Sequence, residues 1–457
     1  MSCKIDNGKI TCFNPSTGNV IKIIDITTKS QFNNICNKAF KIKEEWNQSS
    51  PKERSQIIRK FRKAIILKMD DFIDIICKET GKKPFEGMLE VFTSAEHMKN
   101  AEKLTKVIFK KHKRKVGTLI TKKAWVEYEA MGVAGIISPW NYPLILTLTP
   151  IVEALLAGNP VILKPSEQTP LTSELLKKVW DISTGKNELF QVVYGGSEIG
   201  SMLVNTPITN IICFTGSTKI GKIIALDCAK NLKPVILELG GKDPMLICED
   251  ADIERSVNAA VWGGMSNAGQ TCISVERIYV NQKIYNDFIE KLSKSIKSLK
   301  SGFSSTSEVG SISIPEGLEK IKNQIKNVGE STKIIKGKTE SNEGLFHAPT
   351  LILNPPLESD ISQKETFGPV ISVTPVKNDA EAISFANNTG YGLSASVFNA
   401  GNDLEVVAGG MFGNNQVILK GSVSVSPNVP YSFHGNTTSS QVSTIYFTGS
   451  KTERSLF

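Results

Sequence analysis

From Met131 onward the chain repeats one pattern: a short apolar run, a segment with helical periodicity, and another short apolar run. The runs at 133–137, 161–164, 191–194, 211–214 and 235–237 alternate with helical segments such as 171–182 and 219–229. A second series follows at 245–248, 278–281, 333–336, 350–353, 370–374 and 395–398, with helices that include 253–266 and 285–299. Alternation of this kind builds βαβ units around a parallel sheet with helices on its faces. The two series join near 238–244, so the sequence predicts an α/β fold of two large α/β lobes. A length of 457 residues suits that division at roughly 100–200 residues per domain.

The segment before this pattern, 30–109, reads as helical and polar. Ile57, Ile58, Phe61, Ile65 and Met69 fall on one helical face, with Lys and Arg largely opposite. A basic run follows (Lys106, Lys110, Lys111, Lys113, Arg114, Lys115), but without the repeated aromatic interleaving of a nucleic-acid site, so it reads as solvated surface. The net charge of +9 is thinly spread, and no nucleic-acid partner is expected. The most apolar stretch, 131–163, is broken by Pro139, Pro143, Pro150 and Pro160, which reads as strand, loop, buried helix, strand and not as a membrane span. Eight cysteines show no C-x2-C spacing and four histidines no H-x3-H pair, so no metal site is expected. The start MSCKIDNGKI carries no apolar signal region, and a cytoplasmic protein with reduced thiols is the expectation.

Five segments carry side chains suited to chemistry. Gly216-Ser217-Thr218-Lys219 follows an apolar run and opens a helix, the context for a phosphate at a helix N-terminus; a plain strand–helix turn would look the same. Lys164 ends a buried run and Glu167 follows, at a strand end where open α/β sheets collect ligands; a surface pair is the competing reading. Cys272 lies in the polar loop AGQTCIS, a candidate nucleophile if a base or positive potential is near, although most cysteines are core filler. Glu238 follows a buried run and precedes Gly240-Gly241, so burial would raise its pKa toward that of a general base; a cap, or a pair with Lys242, is the alternative. Asn141 sits between Pro139 and Pro143, where a rigid amide could face a developing oxyanion or simply satisfy a turn.

Taken together, these segments resemble the NAD(P)-dependent aldehyde dehydrogenase superfamily. The matching stretches are PWNYP at 139–143, ILKPSE at 162–167, FTGST at 214–218, ELGGKDP at 238–244, GQTC at 269–272 and ETFGPV at 365–370. They occur in the family's order over roughly residues 12–400, and 267–280 looks most like the succinate-semialdehyde and broad-range bacterial-type branch. The resemblance implies a Rossmann-like cofactor lobe from 1–114 and 131–240 and a catalytic lobe from 241–425. It also implies a small β oligomerisation arm and tail from 115–130 and 440–457. It implies Cys272 as nucleophile, Glu238 as general base, Asn141 with the Cys272 N–H as oxyanion hole, and Lys164 beside them in the catalytic set. Trp140, Lys164, Glu167, Gly216, Ser217, Glu365 and Phe367 would contact the cofactor. NAD is expected over NADP, because Glu167 would repel a 2′-phosphate. The expected partners are a small-molecule aldehyde and further copies of the chain, as a homodimer or homotetramer, with no membrane. The expected reaction oxidises the aldehyde through a cysteine thiohemiacetal and a thioester.

Ile145, Leu146 and Thr149 should face the substrate by the same resemblance. They offer apolar walls, which favours aliphatic or aromatic aldehydes and conflicts with the semialdehyde branch. The arm itself reads as a hairpin over 118–129, with Val126 and Tyr128 on one face. After Phe398 the chain departs from the family pattern. Residues 403–408 are too short for the usual helix, and the stretch at 430–436 replaces a glycine-rich family segment. That departure leaves an alternative: an impaired member of the family with a binding or structural role. A cysteine hydrolase acting without nicotinamide is a third reading, weakened by the lack of a local Cys–His arrangement.

Overall fold

The computed structural model describes residues 3–118, 121–329, 332–340 and 343–399. The first lobe is built on a five-stranded, all-parallel sheet. Its order is Val235–Glu238, Thr209–Thr215, Val133–Ile137, Val161–Lys164, Phe190–Val192. The strands Val133–Ile137 and Val161–Lys164 are buried throughout, as expected where helices cover both faces. The apolar stretch from Met131 resolves into strand, loop, the helix Ile145–Leu156 with Pro150 inside it, and strand.

The second lobe carries a six-stranded sheet ordered Lys333–Lys336, Thr350–Leu353, Val370–Val376, Val275–Asn281, Asp243–Ile247, Ser396–Phe398. Of these six, only the edge strand Lys333–Lys336 runs antiparallel to its neighbour. All six apolar runs read from the second half of the sequence enter this one sheet. Each lobe has its own core. Phe61, Trp180 and Phe190 stack edge to face in the first, at 5.0 and 6.0 Å between ring centroids. Phe288, Ile371 and Ile278 centre the second. Full burial of such side chains stabilises a fold by roughly 1.5–3 kcal/mol each.

The polar N-terminal segment forms four helices, Lys29–Gln48, Pro51–Leu67, Met69–Thr80 and Pro84–Ile108. The stripe read from sequence faces inward, with Ile58, Phe61 and Ile65 fully buried. Ahead of these helices lies a three-stranded antiparallel sheet, Lys4–Asp6, Lys9–Phe13 and Val20–Asp25, which the sequence reading did not contain.

The arm needs a correction. Its hairpin pairs His112–Arg114 with Ala124–Val126, so the first strand starts inside the basic run and not at Thr118. Of the run, Lys113 and Arg114 lie in this two-stranded ribbon and Lys106 on the helix before it, while Trp125 on the second strand is exposed. The divergent segments at 403–408 and 430–436 and the tail 440–457 lie outside the described residues. Among the described residues no helix is long and apolar enough to cross a membrane.

Candidate active site

The first sheet reverses its strand order between Val133–Ile137 and Thr209–Thr215: from the former the chain steps outward to one edge, then returns to the latter and steps to the other. Ligands of open α/β sheets bind in the crevice at the carboxyl ends of such strands. Here the loop carrying Pro139, Trp140 and Asn141 leaves one strand, and Thr215, Gly216 and Ser217 leave the other. Both line a cleft of about 290 Å³, into which the second lobe brings Cys272, Glu365 and Phe367.

The two glycines after Glu238 explain how the lobes approach so closely. A Cβ on Gly240 would sit 2.5 Å from Glu365 Oε1, and one on Gly241 would sit 2.3 Å from the Cys272 carbonyl oxygen. Glycine therefore lets the chain pass between the Cys272 loop and the Glu365 loop, and the Gly241 N–H donates to Glu365 Oε1 at 3.1 Å. The Gly216 N–H donates to the Glu238 carbonyl at 2.9 Å, which ties the two strand ends together and directs that donor away from any ligand. Ser217 caps the helix Thr218–Lys230, its Oγ accepting from the Ile220 N–H at 3.4 Å. Trp140 and Phe367 meet edge to face at 5.5 Å.

Cys272 follows the tight turn Ser266–Gly269, in which Asn267 (φ 52°), Ala268 (φ 52°) and Gly269 (φ 68°) are all left-handed. For a non-glycine residue that conformation costs on the order of 1–3 kcal/mol and persists only where the surroundings over-determine it. They do so here. The Asn267 amide donates to the carbonyls of Asn141 and Gln270 at 3.1 and 3.0 Å. Gln270 Oε1 accepts from the Ser313 N–H at 2.8 Å, and the Asn267 N–H reaches Glu86 Oε1 at 2.5 Å. Asn141 is itself buried and donates one side-chain N–H to the Gln270 carbonyl at 3.0 Å. An amide has two such donors, so this bond orients the group while the other N–H remains available to the cleft it lines.

Electrostatics favour neutral groups at the centre. Burial pushes the Cys272 thiol above its usual range, and the carboxyls of Asp243, Glu238 and Glu365 add to this. Glu238 is held well above the ordinary carboxylate value, first by burial and then by the charge of Glu153. Glu365 is pushed up to about 7, mainly by burial, then by Glu276.

Lys164 and Glu167 do not line the Cys272 cleft. They sit at the end of the strand Val161–Lys164, with Lys164 Nζ and Glu167 Oε2 2.9 Å apart. Of the expected substrate-facing residues, Leu146 lines the cleft, whereas Ile145 packs against Tyr142. Lys242, read as a candidate partner of Glu238, pairs instead with Glu276 in full burial. Glu276 also accepts the N–H groups of Thr366 at 2.8 Å and Phe367 at 2.9 Å, which holds Phe367 in its left-handed conformation at φ 58°.

Sequence reasoning missed the residues that hold the loops carrying Asn141 and Cys272. Glu90 Oε1 accepts the N–H groups of Leu144 and Ile145 at 2.8 and 3.2 Å, just beyond Asn141. Its partner Lys82 lies 3.5 Å over the Tyr142 ring, and the Tyr142 hydroxyl meets Thr271 Oγ1 at 3.0 Å, next to Cys272. The signal was faint: Glu86 and Glu90 are spaced by four on the helix Pro84–Ile108, which reads equally as a polar face.

Comparison with known proteins identifies the family. Residues 4–427 match the model of the aldehyde dehydrogenase family. D-glyceraldehyde dehydrogenase (NADP(+)) of Picrophilus torridus is 35% identical over 398 residues, covering 84% of this chain and 80% of that protein. A probable succinate-semialdehyde dehydrogenase (NADP(+)) of Sinorhizobium fredii is 30% identical over 395 residues, 85% of this chain and 80% of that protein. Among solved structures, an NADP-dependent enzyme of E. coli superposes with a TM-score of 0.83 at 28% identity, covering 86% of this chain and 82% of that one. All three are named for NADP, which overturns the expected preference for NAD. The expectation treated Glu167 as an isolated carboxylate, but its charge is offset by the Lys164 ammonium beside it. A match over nearly the whole chain, with relatives at this identity and coverage, makes the chain a member of the aldehyde dehydrogenase family, enzymes that oxidise aldehydes to carboxylic acids.

Proposed function

We propose that this chain oxidises its aldehyde through a covalent thioester on Cys272, with NADP as the electron acceptor. The observation that carries the reading is the cleft at the sheet's switch point, where Asn141, Cys272 and Glu365 are drawn together by Gly240 and Gly241.

The residues present suit a dinucleotide. The cleft is largely apolar, is edged by a helix N-terminus at Ser217, and has a glycine at 216 where a Cβ would strike the Phe214 ring at 2.5 Å. Lys164 and Glu167 would hold the adenosine end, Ser217 the pyrophosphate, and Trp140, Glu365 and Phe367 the nicotinamide end. When bound, the dinucleotide supplies a two-electron acceptor.

The chain's own residues do the rest. Cys272 Sγ adds to the aldehyde carbon as the thiolate, its proton passing to solvent. Negative charge develops on the substrate oxygen, where the second Asn141 N–H and the Cys272 N–H stabilise it. Losing one such donor costs about 10²–10³ in rate. After oxidation the acyl group is a thioester on Cys272. Ionised Glu238, the raised carboxyl nearby, then takes a proton from water, the water oxygen attacks the thioester carbon, the C–S bond breaks, and Glu238 passes the proton to the Cys272 sulfur as the acid leaves.

Leu146 and Ile314 make the wall apolar, and Lys320 also lines the cleft, 3.9 Å from Glu365. A short aliphatic aldehyde fits this lining, and semialdehydes and glyceraldehyde, named in the relatives, are the first to assay. The test mixes enzyme, NADP and an aldehyde panel and follows absorbance of the reduced cofactor. Turnover that vanishes in Cys272→Ala supports the reading. Turnover that survives in that variant overturns it, and so does ester hydrolysis by a parent enzyme that reduces no NADP with any aldehyde of the panel.

A further inference from the structure

The short N-terminal sheet places two cysteines face to face beside the loop that carries Glu167. Its first hairpin turns at Asn7-Gly8, with φ 47° and 72°, and pairs Asp6 with Lys9, Ile5 with Ile10 and Lys4 with Thr11. One further step along that register sets Cys3 opposite Cys12. In a hairpin closed by a two-residue turn, pairs alternate between hydrogen-bonded and non-hydrogen-bonded, starting from a hydrogen-bonded pair at Asp6 and Lys9. Cys3 and Cys12 therefore form a non-hydrogen-bonded pair. Such a pair brings Cα atoms to roughly 4.5 Å, within the roughly 4.4–6.8 Å that a disulfide spans. Packing agrees with the register: Cys3 lies against the cluster of Ile10, Cys12, Ile24 and Leu171, on the same face of the sheet as Cys12. Both are free thiols, Cys12 buried and Cys3 partly open.

We propose that Cys3 and Cys12 form a disulfide site that a peroxide converts and a thiol reductant restores. Cys3 is the sulfur that reacts first. It is the more open of the two, and its interaction with the Cys12 S–H holds it below the usual thiol value, while the same interaction and burial push Cys12 up. The Cys3 thiolate attacks one peroxide oxygen, the O–O bond breaks, and hydroxide leaves a sulfenic acid on Cys3. Cys12 gives its proton to that hydroxide, its sulfur attacks the Cys3 sulfur, and the S–O bond breaks. The departing hydroxide takes the proton lost when Cys3 ionised. Two thiols are oxidised by two electrons, and one peroxide is reduced to two waters.

The site is tied to the loop that carries Glu167. The Cys3 thiol donates to the Gln168 carbonyl at 3.2 Å, and the Cys3 N–H donates to Gln168 Oε1 at 3.1 Å. Gln168 follows Glu167, the partner of Lys164. Oxidation removes the S–H donor, so the loop from Pro165 to Gln168 loses one of its two ties to Cys3 and NADP binding weakens. This second step rests on the reading of Lys164 and Glu167 as adenosine-end contacts; the disulfide itself does not.

The test uses the full chain carrying Cys272→Ser, so that the nucleophile does not compete for oxidant. The protein is treated with hydrogen peroxide, alkylated, digested and mapped by mass, with Cys12→Ser alongside. The expected product is a peptide pair joining Cys3 to Cys12, lighter by two hydrogens, reversed by dithiothreitol and missing in Cys12→Ser. Recovery of both cysteines alkylated while other thiols oxidise, or Cys3 running on to the sulfinic acid without a crosslink, overturns the site. NADPH is then titrated by fluorescence into reduced and oxidised protein and into Lys164→Met. Several-fold weaker binding in the oxidised form supports the coupling. If Lys164→Met weakens binding and the disulfide does not, the coupling fails while the cofactor reading stands. If neither changes it, the cofactor reading fails and the mapped disulfide stands alone.

Discussion

Glu90 and Lys82 form an ion pair with both side chains wholly shut away from solvent, and the pair stands behind the loop that carries Asn141. Two charges removed from water in this way are held by mutual attraction and by added hydrogen bonds, and Glu90 has these in the N–H groups of Leu144 and Ile145. One helical turn earlier, Glu86 holds Asn267 on the Cys272 side. The first turns of the helix Pro84–Ile108 thus position both walls of the cleft without touching substrate.

Removing one charge of that pair should therefore be severe. Lys82→Met leaves Glu90 buried and uncompensated, a change that typically costs about 3–5 kcal/mol. Urea unfolding should show the loss. The paired change Lys82→Met with Glu90→Gln should recover part of it, because Gln still accepts from Leu144 and no bare charge remains. If the double variant is as unstable as the sum of the single ones, the two side chains do not act as a pair.

Cys272→Ala should end dehydrogenation while leaving the melting curve and NADPH binding close to the parent, since the thiol contributes little to either core. Glu238→Gln should act later, on thioester hydrolysis. Rapid mixing should then show a burst of reduced cofactor followed by a slow phase. A Glu238→Gln enzyme with a linear trace at the parent's steady rate would remove Glu238 from the base role.

Asp243 gives a pH signature of stability. It is buried, its Oδ1 accepts from the Ser394 N–H at 3.1 Å, and burial pushes its carboxyl from 3.8 up to about 8. Between those two values the folded chain keeps a proton that the unfolded chain has lost. The folded state binds more protons there, so stability falls as pH rises across the window, and the loss is complete above the folded value. Asp243→Asn keeps an acceptor for Ser394 and cannot ionise, so its urea midpoint should vary less with pH over the same range. Equal slopes in the two proteins would show that another group sets the dependence.

The lobes were legible because each strand is a short apolar run between helices, and buried parallel strands leave that imprint directly in sequence. The N-terminal sheet was not, since Lys4–Asp6 and Val20–Asp25 are largely exposed and show no clear alternation. Cys272 and Asn141 could be nominated from their own short loops, and Glu365 through the resemblance. Their supports could not: Glu86, Glu90 and Glu276 are acidic residues on ordinary elements, and only the tertiary fold shows which backbone donors they meet. The cofactor preference failed for a related reason. A single carboxylate was given a sign and a direction, while the charge that offsets it stands three residues earlier.

Lys164 is where that offset can be measured. Its ammonium is buried at a strand end beside the Glu167 carboxylate, so a cofactor carrying an extra phosphate would bring a second anion to the same cation. A hydrogen bond to a charged group contributes roughly 1.5–3 kcal/mol, which is about ten- to a hundredfold in affinity. Lys164→Met should raise the KM and Kd for NADP by that factor and should affect NAD less, because NAD lacks the 2′-phosphate. The effect should shrink as salt screens the phosphate. Stopped-flow and fluorescence titrations with both cofactors provide the comparison. Equal losses for NAD and NADP would place Lys164 on a ribose hydroxyl common to both, and the phosphate would then have to be met by another cation near the end of Val161–Lys164.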